Sequence, residues 1–209
     1  MRKFMTEFIG TFFLVLTVGM AVIGGLGDFA PLAIGSVLMV MIFAGGHISG
    51  GHYNPAVTLA VLLRGKIPLR DAIPYMIVQI AGAGLASLVV MYLLHDKIPD
   101  HADGMADTTK ALLAEFIGTF ALAFVVLNVA TAKGTSGNSF YGLAIGFTVL
   151  AMAYALGGIS GGAFNPAVAF GISLMKLASW TNIWVYLLGC FGGAAVAALV
   201  FKLCNPGDV

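Results

Sequence analysis

Asn-Pro-Ala occurs twice in this chain, at Asn54-Pro55-Ala56 and Asn165-Pro166-Ala167. Each copy opens an apolar piece, 55–63 or 166–175, that is too short to cross a bilayer. Asn is a favoured N-cap, because its side-chain oxygen accepts a backbone N–H of the first turn. Pro is favoured at the next position, where its missing N–H costs nothing. The lead-ins also match: His47-Ile48-Ser49-Gly50-Gly51-His52-Tyr53 precedes the first copy and Gly158-Ile159-Ser160-Gly161-Gly162-Ala163-Phe164 the second. These Gly-rich segments read as irregular backbone. At membrane depth such backbone survives only where it lines a cavity or is packed in protein.

The surrounding chain is built for lipid. Of its 209 residues, 60% are hydrophobic and 9% are charged, against roughly a quarter charged in a soluble domain. Six runs are long enough to span: 4–24, 32–51, 72–94, 111–132, 140–158 and 182–203. Glu7-Phe8-Ile9-Gly10-Thr11-Phe12 recurs as Glu115-Phe116-Ile117-Gly118-Thr119-Phe120, so the chain is an internal duplication. The expected organisation is one domain: a first repeat over 1–94, a connector over 95–109 and a second repeat over 110–209.

Three crossings per repeat invert the second repeat relative to the first. Arg2, Lys3, Arg64, Lys66, Arg70, Lys133 and Lys202 then share one face, and Lys97, Lys110 and Lys176 the other. The excess of positive charge places both termini in the cytoplasm. The connector carries Asp96, Asp100, Asp103 and Asp107 and reads as an exposed outer loop whose acidity serves solvation. The basic start at Arg2 and Lys3 does not read as a cleaved signal, since removal would delete half of the Glu-Phe-Ile-Gly-Thr-Phe repeat.

Inversion sends the two short helices in from opposite faces, N-termini first, to meet near the midplane as a seventh span. Both positive dipole ends point at the centre. Asn54 and Asn165 would offer amide N–H donors there. Water or a small alcohol accepts such bonds; a cation does not.

These residues resemble the aquaporin (major intrinsic protein) family, over the whole chain. The resemblance implies an all-α membrane protein with six tilted helices plus two re-entrant half-helices, assembled as a homotetramer with one pore per subunit. It implies that Glu7 and Glu115, costly carboxylates inside spanning helices, hydrogen-bond the backbone of the re-entrant loops. It places His47 in the cytoplasmic vestibule. His47 and His52 have poor spacing for a metal, with no carboxylate or Cys close by in sequence, so no metal or cofactor is expected. Cys190 and Cys204 lie on one predicted helix, roughly 21 Å apart along it, too far for a bridge.

The chain departs from the water-selective pattern. Orthodox members follow the second triplet with Arg; here the residue is Val168. The other ring positions carry over to Ile34, Ala153 and Gly162, a set with little bulk and no side-chain donor. Glycerol facilitators place Asp after the Arg; here it is Ala169, and their longer loops are absent. Some plant vacuolar intrinsic proteins share the Val and pass water with urea, ammonia or peroxide.

The expected function is a passive channel in the cell (plasma or inner) membrane for water and small uncharged solutes: urea, ammonia, glycerol, hydrogen peroxide or gas. A net charge of +1 gives no sign of a nucleic-acid partner, and no enzymatic chemistry is visible. Two other classes stay open: a secondary transporter with inverted repeats, and a structural junction protein with a closed pore.

Overall fold

The computed structural model describes residues 1–102 and 104–208; Asp103 of the connector lies outside them. The described residues form eight α-helices: α1 (Arg2–Ile23), α2 (Ala30–Ser49), α3 (Pro55–Leu63), α4 (Leu69–Leu93), α5 (Thr108–Thr131), α6 (Tyr141–Ser160), α7 (Pro166–Leu174) and α8 (Ile183–Cys204). Six of them are long and apolar enough to cross a membrane. The remaining two, α3 and α7, have nine residues each, about 14 Å of rise, half a hydrocarbon core.

The lead-ins are more helical than the sequence suggests. His47, Ile48 and Ser49 close α2, and Gly158, Ile159 and Ser160 close α6. The chain leaves each helix only at a left-handed glycine, Gly50 or Gly161, both with φ of 91°. A residue with a side chain resists that conformation, so the glycine fixes the exit.

Packing follows the duplication. α1 lies against α2 and α4, and α5 in the same way against α6 and α8. Each half-helix is held mainly by the other repeat, α3 by α8 and α7 by α4. The repeats also meet where α2 crosses α6. A Cβ at Gly35 would stand 2.7 Å from the Gly146 carbonyl oxygen, and one at Gly146 would stand 2.5 Å from the Gly35 oxygen. These glycines occupy equivalent places in the two repeats, so their mutual contact lies on the pseudo-two-fold axis. Helices in lipid associate through such close approach rather than through the hydrophobic effect. Gly146→Ala is therefore expected to destabilise the protein by about 1–3 kcal/mol, read as a lower melting temperature in detergent. Gly157→Ala is the control, because no atom lies within 4 Å of a Cβ there; equal melting of the two variants would refute the crossing's role.

The outward faces carry Ile77, Leu88, Leu113, Leu188 and Leu199, all exposed, as a lipid-facing surface requires. On the face holding both termini, Arg64 at the end of α3 donates to Asp208 Oδ1 at 2.9 Å, and the Lys133 backbone N–H donates to Asp208 Oδ2 at 2.6 Å. The Lys133 N–H and the Arg64 charge hold the Asp208 carboxyl below the usual carboxylate range. In the connector, Asp107 does more than solvate. Its Oδ1 accepts the backbone N–H groups of Thr109 and Lys110, both at 3.0 Å, and so caps α5.

Candidate functional site

The two half-helices begin at the centre of the molecule, and each start is built twice over. Asn54 Oδ1 accepts from the Ala56 N–H at 2.8 Å and more weakly from Val57 at 3.4 Å. Asn165 Oδ1 accepts from Ala167 at 2.9 Å. Pro55, Ala56, Pro166 and Ala167 are all buried in the first turns. The amide nitrogens reach across the repeats. Asn54 Nδ2 donates to the Phe164 carbonyl at 2.9 Å, and Asn165 Nδ2 donates to the Tyr53 carbonyl at 2.9 Å. Each NH2 group has two hydrogens, so one per Asn is left over.

Tyr53 and Phe164 hold φ of 49° and 48°, the left-handed region that bulky residues avoid. A conformation costing of order 1–3 kcal/mol persists only where its surroundings over-determine it. Glu7 is that surrounding in the first repeat. Its Oε1 accepts from the Ser49 hydroxyl at 2.7 Å and the His52 N–H at 3.0 Å. Its Oε2 accepts from the Tyr53 N–H at 2.7 Å and Gln79 Nε2 at 2.8 Å. Glu115 repeats the design. Oε1 accepts from Ser160 at 2.6 Å and the Ala163 N–H at 3.0 Å, and Oε2 from the Phe164 N–H at 2.7 Å. Tyr75 and Tyr186 close the bracket by donating to the Ser49 and Ser160 carbonyls at 2.8 and 2.7 Å. Both carboxylates are fully buried, and neither lines the central cavity.

The repeats differ beside these carboxylates. His52, Thr58 and Gln79 form a polar cluster in the first, with His52 Nδ1 at 3.1 Å from Thr58 Oγ1 and Gln79 Nε2 donating to that oxygen at 3.0 Å. The equivalent places in the second are Ala163, Ala169 and Cys190. No group of His, Cys, Asp or Glu suited to a metal occurs among the described residues.

A cavity of about 640 Å³ runs along this axis, lined by Asn54 and Asn165. It opens past Asp28, Tyr154 and the connector residues Gly104 to Ala106. Ile34 of α2, Ala153 of α6, Gly162 of the second lead-in and Val168 of α7 all line it. Among the described residues Asp28 is its one lining Asp, Glu, Lys or Arg. His47 is exposed on the last turn of α2 and does not line this cavity.

Several contributors escape sequence reasoning. Ser49 with Ser160, and Tyr75 with Tyr186, recur at the spacing that relates the two Asn-Pro-Ala triplets, and that shared offset is the signal that finds them. His52 and Asn182, which line the cavity, carry no such mark.

Six apolar helices long enough to cross a membrane, two half-helices meeting tip to tip and a cavity lined by both of their Asn caps define a membrane channel. The family described as Major intrinsic protein matches residues 1–201. Aquaporin NIP1-3 of Oryza sativa subsp. japonica is 40% identical over 99% of this chain and 75% of its own. Aquaporin AqpM of Methanothermobacter thermautotrophicus is 33% identical over 96% of each chain. Glycerol uptake facilitator protein-like 6 of Lactiplantibacillus plantarum is 36% identical over 100% of each. The fold matches the X-ray structure of the aquaglyceroporin from Plasmodium falciparum with a TM-score of 0.83, at 24% identity over 99% of this chain and 98% of that one.

The chain belongs to the major intrinsic protein family. It is a multi-pass membrane channel for water and small solutes, and it is not an enzyme.

Proposed function

We propose that this channel is a permissive member of its family, passing water together with small uncharged solutes such as urea, ammonia, glycerol, hydrogen peroxide or gas. The observation that carries this reading is the wall around Val168. Ile34, Ala153, Gly162 and Val168 line one cavity and bring neither a side-chain donor nor a positive charge to it. The outer constriction is then wide and apolar.

Charge exclusion falls to the centre. The spare N–H groups of Asn54 and Asn165 and the positive ends of α3 and α7 favour acceptors and disfavour cations. Pro55, Ala56, Pro166 and Ala167 fix those helix starts, and Glu7 and Glu115 support the loops. His47 stands in the vestibule on the face holding the termini. That face is cytoplasmic by its excess of Lys and Arg, in the cell (plasma or inner) membrane. The chain acts as one domain, with repeats over 1–94 and 110–209 joined by an outer connector over 95–109, and assembles as a homotetramer in the bilayer. Ion-coupled transport is disfavoured because loop and side-chain donors occupy both oxygens of Glu7 and of Glu115.

The test is a permeability panel in proteoliposomes. Water and urea both exceed empty vesicles by at least about tenfold if the outer ring is open, a lowering of about 1.4 kcal/mol in each barrier. Water flux without urea flux removes the permissive filter. No shrinkage above empty vesicles in a sucrose gradient removes the open pore, leaving a closed junction protein.

A further inference from the structure

Arg64 ends α3, and its side chain is 2% exposed. Two neighbours from the second repeat hold its charge. The guanidinium carbon lies 4.7 Å from the centre of the Phe201 ring on α8, within the range of a cation–π contact. Nη2 donates to Asp208 Oδ1 at 2.9 Å, whereas Nε has no hydrogen-bond partner among the described residues. Asp208 is itself pinned. Its Oδ2 accepts the Lys133 N–H at 2.6 Å, the Lys133 ammonium donates to the Gly207 carbonyl at 3.2 Å, and Asn205 Nδ2 donates to Asn128 Oδ1 of α5 at 3.4 Å. One carboxylate thus ties α3 of the first repeat to the α5–α6 connection of the second. The place equivalent to Arg64 in the second repeat is Met175, fully buried at the end of α7. An apolar side chain therefore serves as a half-helix end in this fold, and a buried ion pair is weak evidence of a need for stability. What the pair adds is geometry. Parting a buried charge from its counter-charge is strongly penalised, so the pair admits one seating of the helix.

We propose that Arg64 and Asp208 are positioning residues for the pore: an ionic clasp, on the face holding both termini, that sets the depth of α3 and through it the place of Asn54. α3 is a single rod of nine residues, about 14 Å long. Its far end carries Asn54, whose Nδ2 donates to the Phe164 carbonyl at 2.9 Å and which lines the cavity. A slide of about 1 Å along that bond stretches it past hydrogen-bonding range. The junction fixes one end of the rod and the clasp fixes the other. The clasp acts on the central junction and is independent of the outer ring at Val168.

The experiment compares the parent, Asp208→Asn, and Asp208→Asn combined with Arg64→Met. Three readouts are taken: melting in detergent, water permeability per channel in proteoliposomes, and labelling by phenylglyoxal, a neutral dicarbonyl that modifies guanidinium groups, read by mass spectrometry. Arg2 and Arg70 are exposed and Arg64 is buried, so labelling of Arg64 relative to Arg70 reports an open clasp. In Asp208→Asn the amide turns its NH2 toward either Arg64 or the Lys133 N–H, a donor facing a donor. Relative labelling of Arg64 is expected to rise about tenfold or more, and melting temperature and water permeability to fall. The double variant removes the stranded charge and copies the second repeat. It is expected to melt above Asp208→Asn and to recover water permeability, whereas independent structural roles would add their losses. A double variant no better than Asp208→Asn overturns the proposal, as does Arg64 labelling that stays at the parent's ratio. Lower melting of Asp208→Asn with unchanged water permeability marks the pair as structural only and also overturns it. If Asp208→Asn does not insert, the double variant decides, by conducting water as the parent does or failing to.

Discussion

Replacing Val168 with Arg is expected to cut urea permeability by about tenfold or more, equivalent to about 1.4 kcal/mol, and to change water permeability much less. Val168 lies in the first turn of α7, where its side chain lines the cavity with Ile34, Ala153 and Gly162. Arg there would fill width that Ala153 and Gly162 leave open. It would also present five N–H donors and a positive charge beside the positive end of α7. Water, the smaller permeant, fits the narrowed ring and accepts those bonds. Urea must shed more of its hydration in less space. Stopped-flow light scattering under sucrose and urea gradients measures both permeabilities on one preparation. A urea-to-water ratio equal to the parent's would place the constriction elsewhere.

Glu7→Leu is expected to abolish the folded channel, and Glu115→Leu to weaken it severely. Glu7 receives four hydrogen bonds, from Ser49, His52, Tyr53 and Gln79. Two of the donors are the backbone N–H groups of His52 and Tyr53. At about 1–3 kcal/mol for each buried donor left unsatisfied, the loss exceeds about 4 kcal/mol. That approaches the whole stability of many proteins. Glu115 receives three such bonds and one longer contact from the Cys190 thiol at 3.6 Å, so its loss costs less. The measurements are melting in detergent and water permeability after reconstitution. A Glu7→Leu protein that melts with the parent and conducts water would show that the left-handed Tyr53 holds itself.

Much of this architecture was legible because it is written twice. Apolar length marks the six crossings, and Asn followed by Pro marks the two half-helix starts. The boundaries were harder. Ser49 and Ser160 sit in Gly-rich text yet remain helical, since one glycine in the left-handed conformation, at φ of 91°, ends each helix a residue later. The brackets around Glu7 and Glu115 were legible as resemblance only. Their partners lie tens of residues away, and no local pattern ties Glu7 to Tyr53 or Gln79. Asp107 looked like one of several solvating acids, and only its geometry makes it a cap.

The exchange of half-helices between repeats has a consequence for biogenesis. α3 leaves the ribosome early, yet the helix that cradles it, α8, follows only after the four helices α4 to α7. At about 5–20 residues per second, the wait is on the order of ten seconds. During that interval a nine-residue coil at a water–lipid boundary has neither its long-range clasp to Phe164 nor its packing partner. The nascent chain therefore carries an unfinished re-entrant loop until α8 has emerged, and only then can the pore close around itself.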